Sequence, residues 1–406
     1  MRRALLLRRL ARPREGPQDR VGQSNESSVL GVFEEHARLI HHIYAFYASK
    51  SESFDKHVLG LVEYWEFLRE AGLIDETSKF LSTVELQNLF ILCNQEDSPT
   101  TSLEAEVNSI NPDRELMRFE FLRALTRIGV AKYIKEPPRN SRDVTKLFAP
   151  HEAVERLITL DLMGNLPAEA THDPDSFRRL HLYTPEVATV LSAHESKLLA
   201  IFRHQAAGVE DSLVLGKSGV ETEKKRKQEM SMDEWLGFLT ACDLVASSPE
   251  DQSEFTLRKA KLAFCHASAF VTDEIFRREQ LTHIGFAEFL EAIARVASMR
   301  NMPTEGQLQQ LQITSYADFL RRCDEWGRGG EGSALLELAS KGRSWMRVDA
   351  EPLAPQLRLL VEYVVSVFDG DGDGKVSKKE LKAGNPVRKT SITGGRARPR
   401  RRSSLL

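Results

Sequence analysis

Cysteine is scarce and scattered. Cys93, Cys242, Cys265 and Cys323 are the only four in 406 residues, and no two form a CxxC pair. Neither a disulfide framework nor a structural zinc site is expected, and a reducing cytoplasm fits best. Long apolar runs are missing too. The most apolar stretch, Leu357 to Phe368, contains Arg358 and Glu362, whereas a membrane span needs about 18 apolar residues with few charges. No transmembrane segment is expected. Signatures of catalysis are also absent: there is no P-loop, nucleophile elbow, kinase set or HExxH. Gly327-x-Gly329-x-x-Gly332 fits GxGxxG but follows Ala317–Trp326, a helical stretch where a dinucleotide fold needs a strand. His41-His42 lies inside an apolar helical pattern without ligand spacing. No active site is found, and the chain is read as noncatalytic.

Charge is present in quantity but unevenly placed. The net charge is −3, yet Arg2, Arg3, Arg8, Arg9, Arg12 and Arg14 precede the first acid. Lys382, Arg388, Lys389, Arg396, Arg398, Arg400, Arg401 and Arg402 follow the last one. An acidic body therefore sits between two basic ends, 1–30 and 385–406. Such ends contact acidic partners or stay solvated and disordered, and both readings are kept. No specific nucleic-acid signal accompanies them. The N-terminal arginines with Ala4 to Leu7, Leu10 and Ala11 loosely resemble an organelle presequence, a second option for localisation.

Helical signals dominate the interior, and the expected fold class is all-α. Ser82–Glu85, Ser231–Glu234 and Thr304–Gln307 each fit a capping box. Thr184-Pro185-Glu186 opens another helix, with a cap, a proline at the first position and an acid at the positive dipole end. An internal repeat runs through these helices. Leu39-Ile40 and Ile43 return as Leu198-Leu199 and Phe202. Tyr64-x-x-Phe67-Leu68 and Leu73-Ile74 return as Trp235-x-x-Phe238-Leu239 and Leu244-Val245. Leu89-Phe90 returns as Ala263-Phe264, and Phe121-Leu122-x-Ala124-Leu125-x-Arg127-Ile128 as Phe289-Leu290-x-Ala292-Ile293-x-Arg295-Val296. The expected organisation is a helical module over 31–136, a proline-rich connector with one helix over 137–190, a second module over 191–300, a helical and glycine-containing connector over 301–350, and a C-terminal unit over 351–384.

That last unit carries the clearest chemistry. Asp369-Gly370-Asp371-Gly372-Asp373-Gly374-Lys375-Val376-Ser377-Lys378-Lys379-Glu380 sets oxygen donors at alternate positions. Calcium takes about six to eight oxygens. Asp369, Asp371 and Asp373 stand at loop positions one, three and five. Lys375 offers its carbonyl at seven, Ser377 binds through a water at nine, and Glu380 supplies two oxygens at twelve. Gly374 permits the sharp turn at position six. Val376 at position eight suits a short strand. Leu357, Val361, Val364, Val365 and Phe368 repeat at helical spacing just before the loop. Over this stretch the chain resembles the EF-hand superfamily. The exit helix has room only from Ser377 to Ala383 before Gly384 and Pro386 stop it.

The ends of both modules follow the same frame. Counting back from Glu288 puts Arg277, Glu279 and Leu281 at the ligand positions and Thr282 at the glycine, so that loop is expected not to bind calcium. Counting back from Glu120 puts Ser109, Asn111 and Asp113 there. Pro112 stiffens that loop, Arg114 replaces the glycine, and whether it holds a metal is left open. The modules are read as degenerate EF-hand-like pairs. The second, through Leu198, Phe202, Trp235, Cys242, Leu244, Val245, Phe264, Ile284, Phe286, Phe289, Ala292 and Ile293, resembles the tubulin-polymerisation-promoting family. That resemblance implies a helical EF-hand-like fold and an association with microtubules. The leading expectation is a calcium-responsive regulatory or adaptor protein with a protein partner, possible cytoskeletal partners included. The alternatives are a structural cytoskeletal or flagellar protein with a stabilising calcium site, and a regulatory subunit of a separate enzyme.

Overall fold

The computed structural model describes residues 28–51, 58–95, 115–135, 148–206, 229–245, 255–271, 274, 277–300, 302–327 and 352–369. The basic ends 1–27 and 385–406, the glycines beyond Gly327 and the loop after Asp369 lie outside them. The fold is all-α. A helical lead at 28–35 runs into α1 (Ala37–Ala48), followed by β1 (Leu59–Gly60), α2 (Leu61–Glu70), α3 (Thr83–Asn94), β2 (Glu115–Leu116) and α4 (Arg118–Val130), which continues at π pitch over Ala131–Lys135. Next comes α5 (Pro150–Arg156), continuing at π pitch over Leu157–Leu162 into Met163–Asn165, and then α6 (Ala168–Thr171) and α7 (Pro174–Phe177). The remaining elements are α8 (Pro185–Gln205), β3 (Met230–Ser231), α9 (Met232–Ala241), α10 (Leu257–Ala267), α11 (Arg278–Thr282), β4 (His283–Ile284), α12 (Phe286–Met299), α13 (Glu305–Gln310), α14 (Tyr316–Gly327) and α15 (Leu353–Phe368).

The chain divides into two compact units. One takes the residues up to Arg179 together with Lys261–Ile284; the other takes Leu180–Ala260 and everything from Gly285. Residues 261–284, expected in the second module, thus count with the first unit.

In the first unit, β1 and β2 pair antiparallel, Leu59 opposite Leu116 and Gly60 opposite Glu115. This joins two helix–loop–helix elements, α1–α2 and α3–α4, at their loops. Phe121 lies in the core with its ring 5.1 Å from Phe67 and 5.7 Å from Tyr44. The helix α2 ends where Gly72 takes φ +64, and Leu73 N–H reaches back to the Leu68 carbonyl; a side chain is strained in that left-handed conformation. The stretch expected as a connector is largely helical and buried. Ala153, Val154, Leu157, Ile158 and Leu162 join the same core as Phe67 and Phe121. Here α5 lies against α4 and α6 against α1. The α4–α5 approach is close because Gly129 has no side chain; a Cβ there would stand 3.1 Å from the Ala153 carbonyl oxygen. Lys132 and the Tyr133 hydroxyl both donate to Asp161, each at 2.7 Å.

Residues 261–284 are held in this unit by charges matched to helix ends. The Glu274 carboxylate accepts the free N–H groups of Arg118 (3.3 Å) and Phe119 (2.8 Å) at the positive start of α4. The Lys261 ammonium donates to the Ser51 carbonyl (2.5 Å) just beyond the negative end of α1. Arg178 donates to the His266 carbonyl in the last turn of α10 (2.9 Å). Arg118 completes the set, donating to the Val271 carbonyl and meeting His41 Nδ1 at 2.8 Å.

The second unit repeats much of this arrangement. Phe289 is buried with its ring 5.4 Å from Phe238 and 5.2 Å from Phe202. The helix α9 ends as α2 does, with Asp243 at φ 55 and Leu244 N–H bonded to the Leu239 carbonyl. As α5 and α6 lie on the first and last helices of the first unit's pair, α15 lies against α8 and α12 here, and also touches α14. Ser231 and Thr304 form complete capping boxes; Ser82 and Thr184 cap through their side chains alone.

Candidate metal centre

The site is built outward from α15. Leu357, Val361, Val364, Val365 and Phe368, the stripe read from the sequence, are all buried. Phe368 stacks on Phe238 with centroids 6.2 Å apart and planes 11° from parallel. The Tyr363 hydroxyl donates to the Cys242 carbonyl at 2.8 Å, and its ring meets Tyr316 edge-on at 5.5 Å. Burial pushes both the Tyr363 hydroxyl and the Cys242 thiol above their ordinary pKa. The helix stops at Phe368. Asp369 is its C-cap, leaving the helical region at φ −100, ψ 85, and is half-buried. The first expected ligand therefore stands directly at the end of a helix fixed on both sides. Asp371, Asp373, Lys375, Ser377 and Glu380 lie outside the described residues, as do Ser109, Asn111 and Asp113 of the earlier loop. Among the described residues, no group of three or more His, Cys, Asp or Glu is placed to hold a metal ion.

Glu120 and Glu288, at position twelve of the two earlier loops, and the capping-box Glu234 all serve helix starts. Glu120 is buried and accepts the Met117 N–H at 2.9 Å. Glu234 accepts from Ser231 at 2.7 Å and Glu288 from Gly285 at 2.7 Å. Each carboxylate is turned onto the start of its own helix, where it satisfies an N–H group and meets the positive dipole end. In the last of these loops, ligand positions two to six form the helical turn α11, and Leu281 at position five is buried.

Two further copies of this frame escaped the sequence reading. Leu59 stands four residues before Glu63, and Met230 four before Glu234, as Leu116 precedes Glu120 and Ile284 precedes Glu288. All four apolar residues are buried in two-residue strands. The signal was an apolar residue followed at the fourth place by glutamate, too common by itself to separate from an ordinary helix start. Glu274 left no local signal at all. Cys93, Cys242 and Cys265 are buried and in no disulfide, and no described helix is long and apolar enough to cross a membrane. No family model, no curated protein and no solved structure matches this chain.

Proposed function

We propose that the chain binds one calcium ion through Asp369, Asp371, Asp373, the Lys375 carbonyl, Ser377 and Glu380, and acts as a noncatalytic, calcium-responsive regulatory protein. The observation that carries this reading is the ending of α15. The helix terminates at the residue before the first ligand, and Phe368 and Tyr363 fix it against α9 and its C-terminal turn. A hand of this kind needs an entering helix that delivers position one, and this chain has it in place. The anchorage also sets where a response to the ion falls. An entering helix with ten buried residues is a poor moving part, so on this reading the response falls beyond the loop. Ion binding then changes how Lys382 to Arg402 are presented to an acidic protein partner.

The test is titration calorimetry on the whole chain. Uptake of one calcium is expected, in or weaker than the range of about 10⁻⁷–10⁻⁵ M typical of sensor loops. Glu380→Gln removes the two-oxygen clamp and should weaken binding about tenfold or more, roughly 1.4 kcal/mol. Glu288→Gln should leave the affinity as it is. No uptake at millimolar calcium refutes the proposal, and an unaffected Glu380→Gln variant puts the ion elsewhere. The fixed α15 also favours a second reading, in which the ion only stiffens the C-terminus of a cytoskeletal protein. Microtubule co-sedimentation that is strong and indifferent to calcium would select it.

A further inference from the structure

Tyr64 Oη, Asn94 Oδ1 and Arg127 Nη1 are among the buried polar atoms of the first unit that have no hydrogen-bonding partner among the described residues. They come from α2, α3 and α4, and contacts bring these side chains into one neighbourhood. The Tyr64 ring lies 5.1 Å from Phe90, which precedes Asn94 by one turn on the same face of α3. Arg123, one turn before Arg127 on α4, donates to the carbonyl of Cys93, the residue next to Asn94, at 3.4 Å. The Cys93 thiol is their common neighbour. Burial raises it to about 11, while the guanidiniums of Arg127 and Arg123 pull the other way. Burial, and after it Cys93, raises the Tyr64 hydroxyl. Tyr64 and Asn94 are each more than nine-tenths buried.

The donor set defines what fits. Arg127 Nη1 can only donate, Asn94 Oδ1 can only accept, and the Tyr64 hydroxyl does either. An anion would meet the amide oxygen; a cation would meet two guanidiniums. The complement is a small neutral group that donates and accepts at once, with two to four polar partners, and water meets that description. The corresponding position of the repeat shows what such a polar atom requires: Trp235, which aligns with Tyr64, donates its Nε1–H to the Ala260 carbonyl at 3.0 Å. We propose that a buried water bridges Tyr64 Oη, Asn94 Oδ1 and Arg127 Nη1 and ties α2, α3 and α4 together.

Amide hydrogen exchange on the full chain tests this, with α12 as the internal reference. If the hydroxyl bonds to a shared water, Tyr64→Phe removes a made hydrogen bond, and exchange in α2–α4 should quicken about two- to tenfold. Asn94→Ala should do likewise, and the double variant should show less than the product of the two effects, because both act on one molecule. Tyr64→Phe leaving exchange unchanged or slower would show an orphan hydroxyl and overturn the proposal. Fully multiplicative effects would overturn the bridge.

Discussion

Glu274→Gln is the most informative single change in the first unit. The side chain keeps its shape and loses its charge. Glu274 is 4 % exposed, lies 3.9 Å from the Arg118 guanidinium and accepts two backbone N–H groups. An amide can face one of those groups with its oxygen, but its NH2 then confronts the other donor. Breaking a buried ion pair from one side costs about 3–5 kcal/mol. Arg118 retains the Val271 carbonyl at 2.7 Å and His41 Nδ1 at 2.8 Å, which lowers the expected cost to about 2–4 kcal/mol. Burial works in the same direction, since it raises the Glu274 carboxyl above its ordinary range despite Arg118 and the two N–H groups; the native charge is already expensive to hold. The local opening constant should rise roughly 30- to 800-fold. Hydrogen exchange would show this as lost protection at 117–121 and across 261–284 together, with α12 unchanged. Unchanged protection in either stretch would mean that the carboxylate does not hold them, and the capping argument fails.

Three more outcomes follow. His41 is held well below 6.5 by burial, then by Arg118, then by His42; its unfolded form takes up a proton first, so the stability it contributes is present above about pH 6.5 and lost as pH falls below it. Glu274 works in the opposite sense above 4.5, so urea midpoints at pH 7.5 and 5.5 for the parent and His41→Gln should show a flatter acid limb in the variant, and equal slopes would refute the assignment. Phe121→Ala and Phe289→Ala should each cost about 3–5 kcal/mol in their own unit and little in the other, read by exchange in α4 and α12. Gly129→Ala forces a Cβ to 3.1 Å from a backbone oxygen and should cost about 1–3 kcal/mol in urea unfolding, against the usual gain from replacing glycine within a helix.

Much of the fold could be read from the chain wherever the cause is local. The Thr184-Pro185 start, the α15 stripe and the Phe121–Phe289 correspondence each rest on neighbours within a few residues. The proline-rich stretch misled for a physical reason. Pro150, Pro174 and Pro185 occupy first helical positions and Pro167 precedes one, where proline needs no N–H partner and its fixed φ suits the turn. Pro185 is legible as a beginning because Thr184 and Glu186 flank it; Pro150, Pro167 and Pro174 also mark beginnings, although a run of prolines reads as a connector. The two-residue strands are too short for any periodicity to register. Of the candidate metal centre, the entering helix is legible in the sequence; the cap at Glu234 is legible too, as a capping box, whereas Glu120 and Glu288 read only as position twelve of a loop, because their N–H partners belong to Met117 and Gly285, which carry no capping side chain.

The placement of 261–284 carries a consequence for how the molecule is made. Phe119 and the carboxylate that caps it are 155 residues apart. At about 5–20 residues per second, synthesis leaves an interval of roughly 8–30 s in which α4 exists without its cap. The first unit cannot close while it alone has been made, and the chain that follows must grow before the earlier part is finished. A ribosome stalled anywhere between 180 and 260 would display an open first unit in which Arg118 lacks both Glu274 and the Val271 carbonyl. Limited proteolysis of nascent chains should therefore show protection of α4 arriving only once residue 274 has left the exit tunnel.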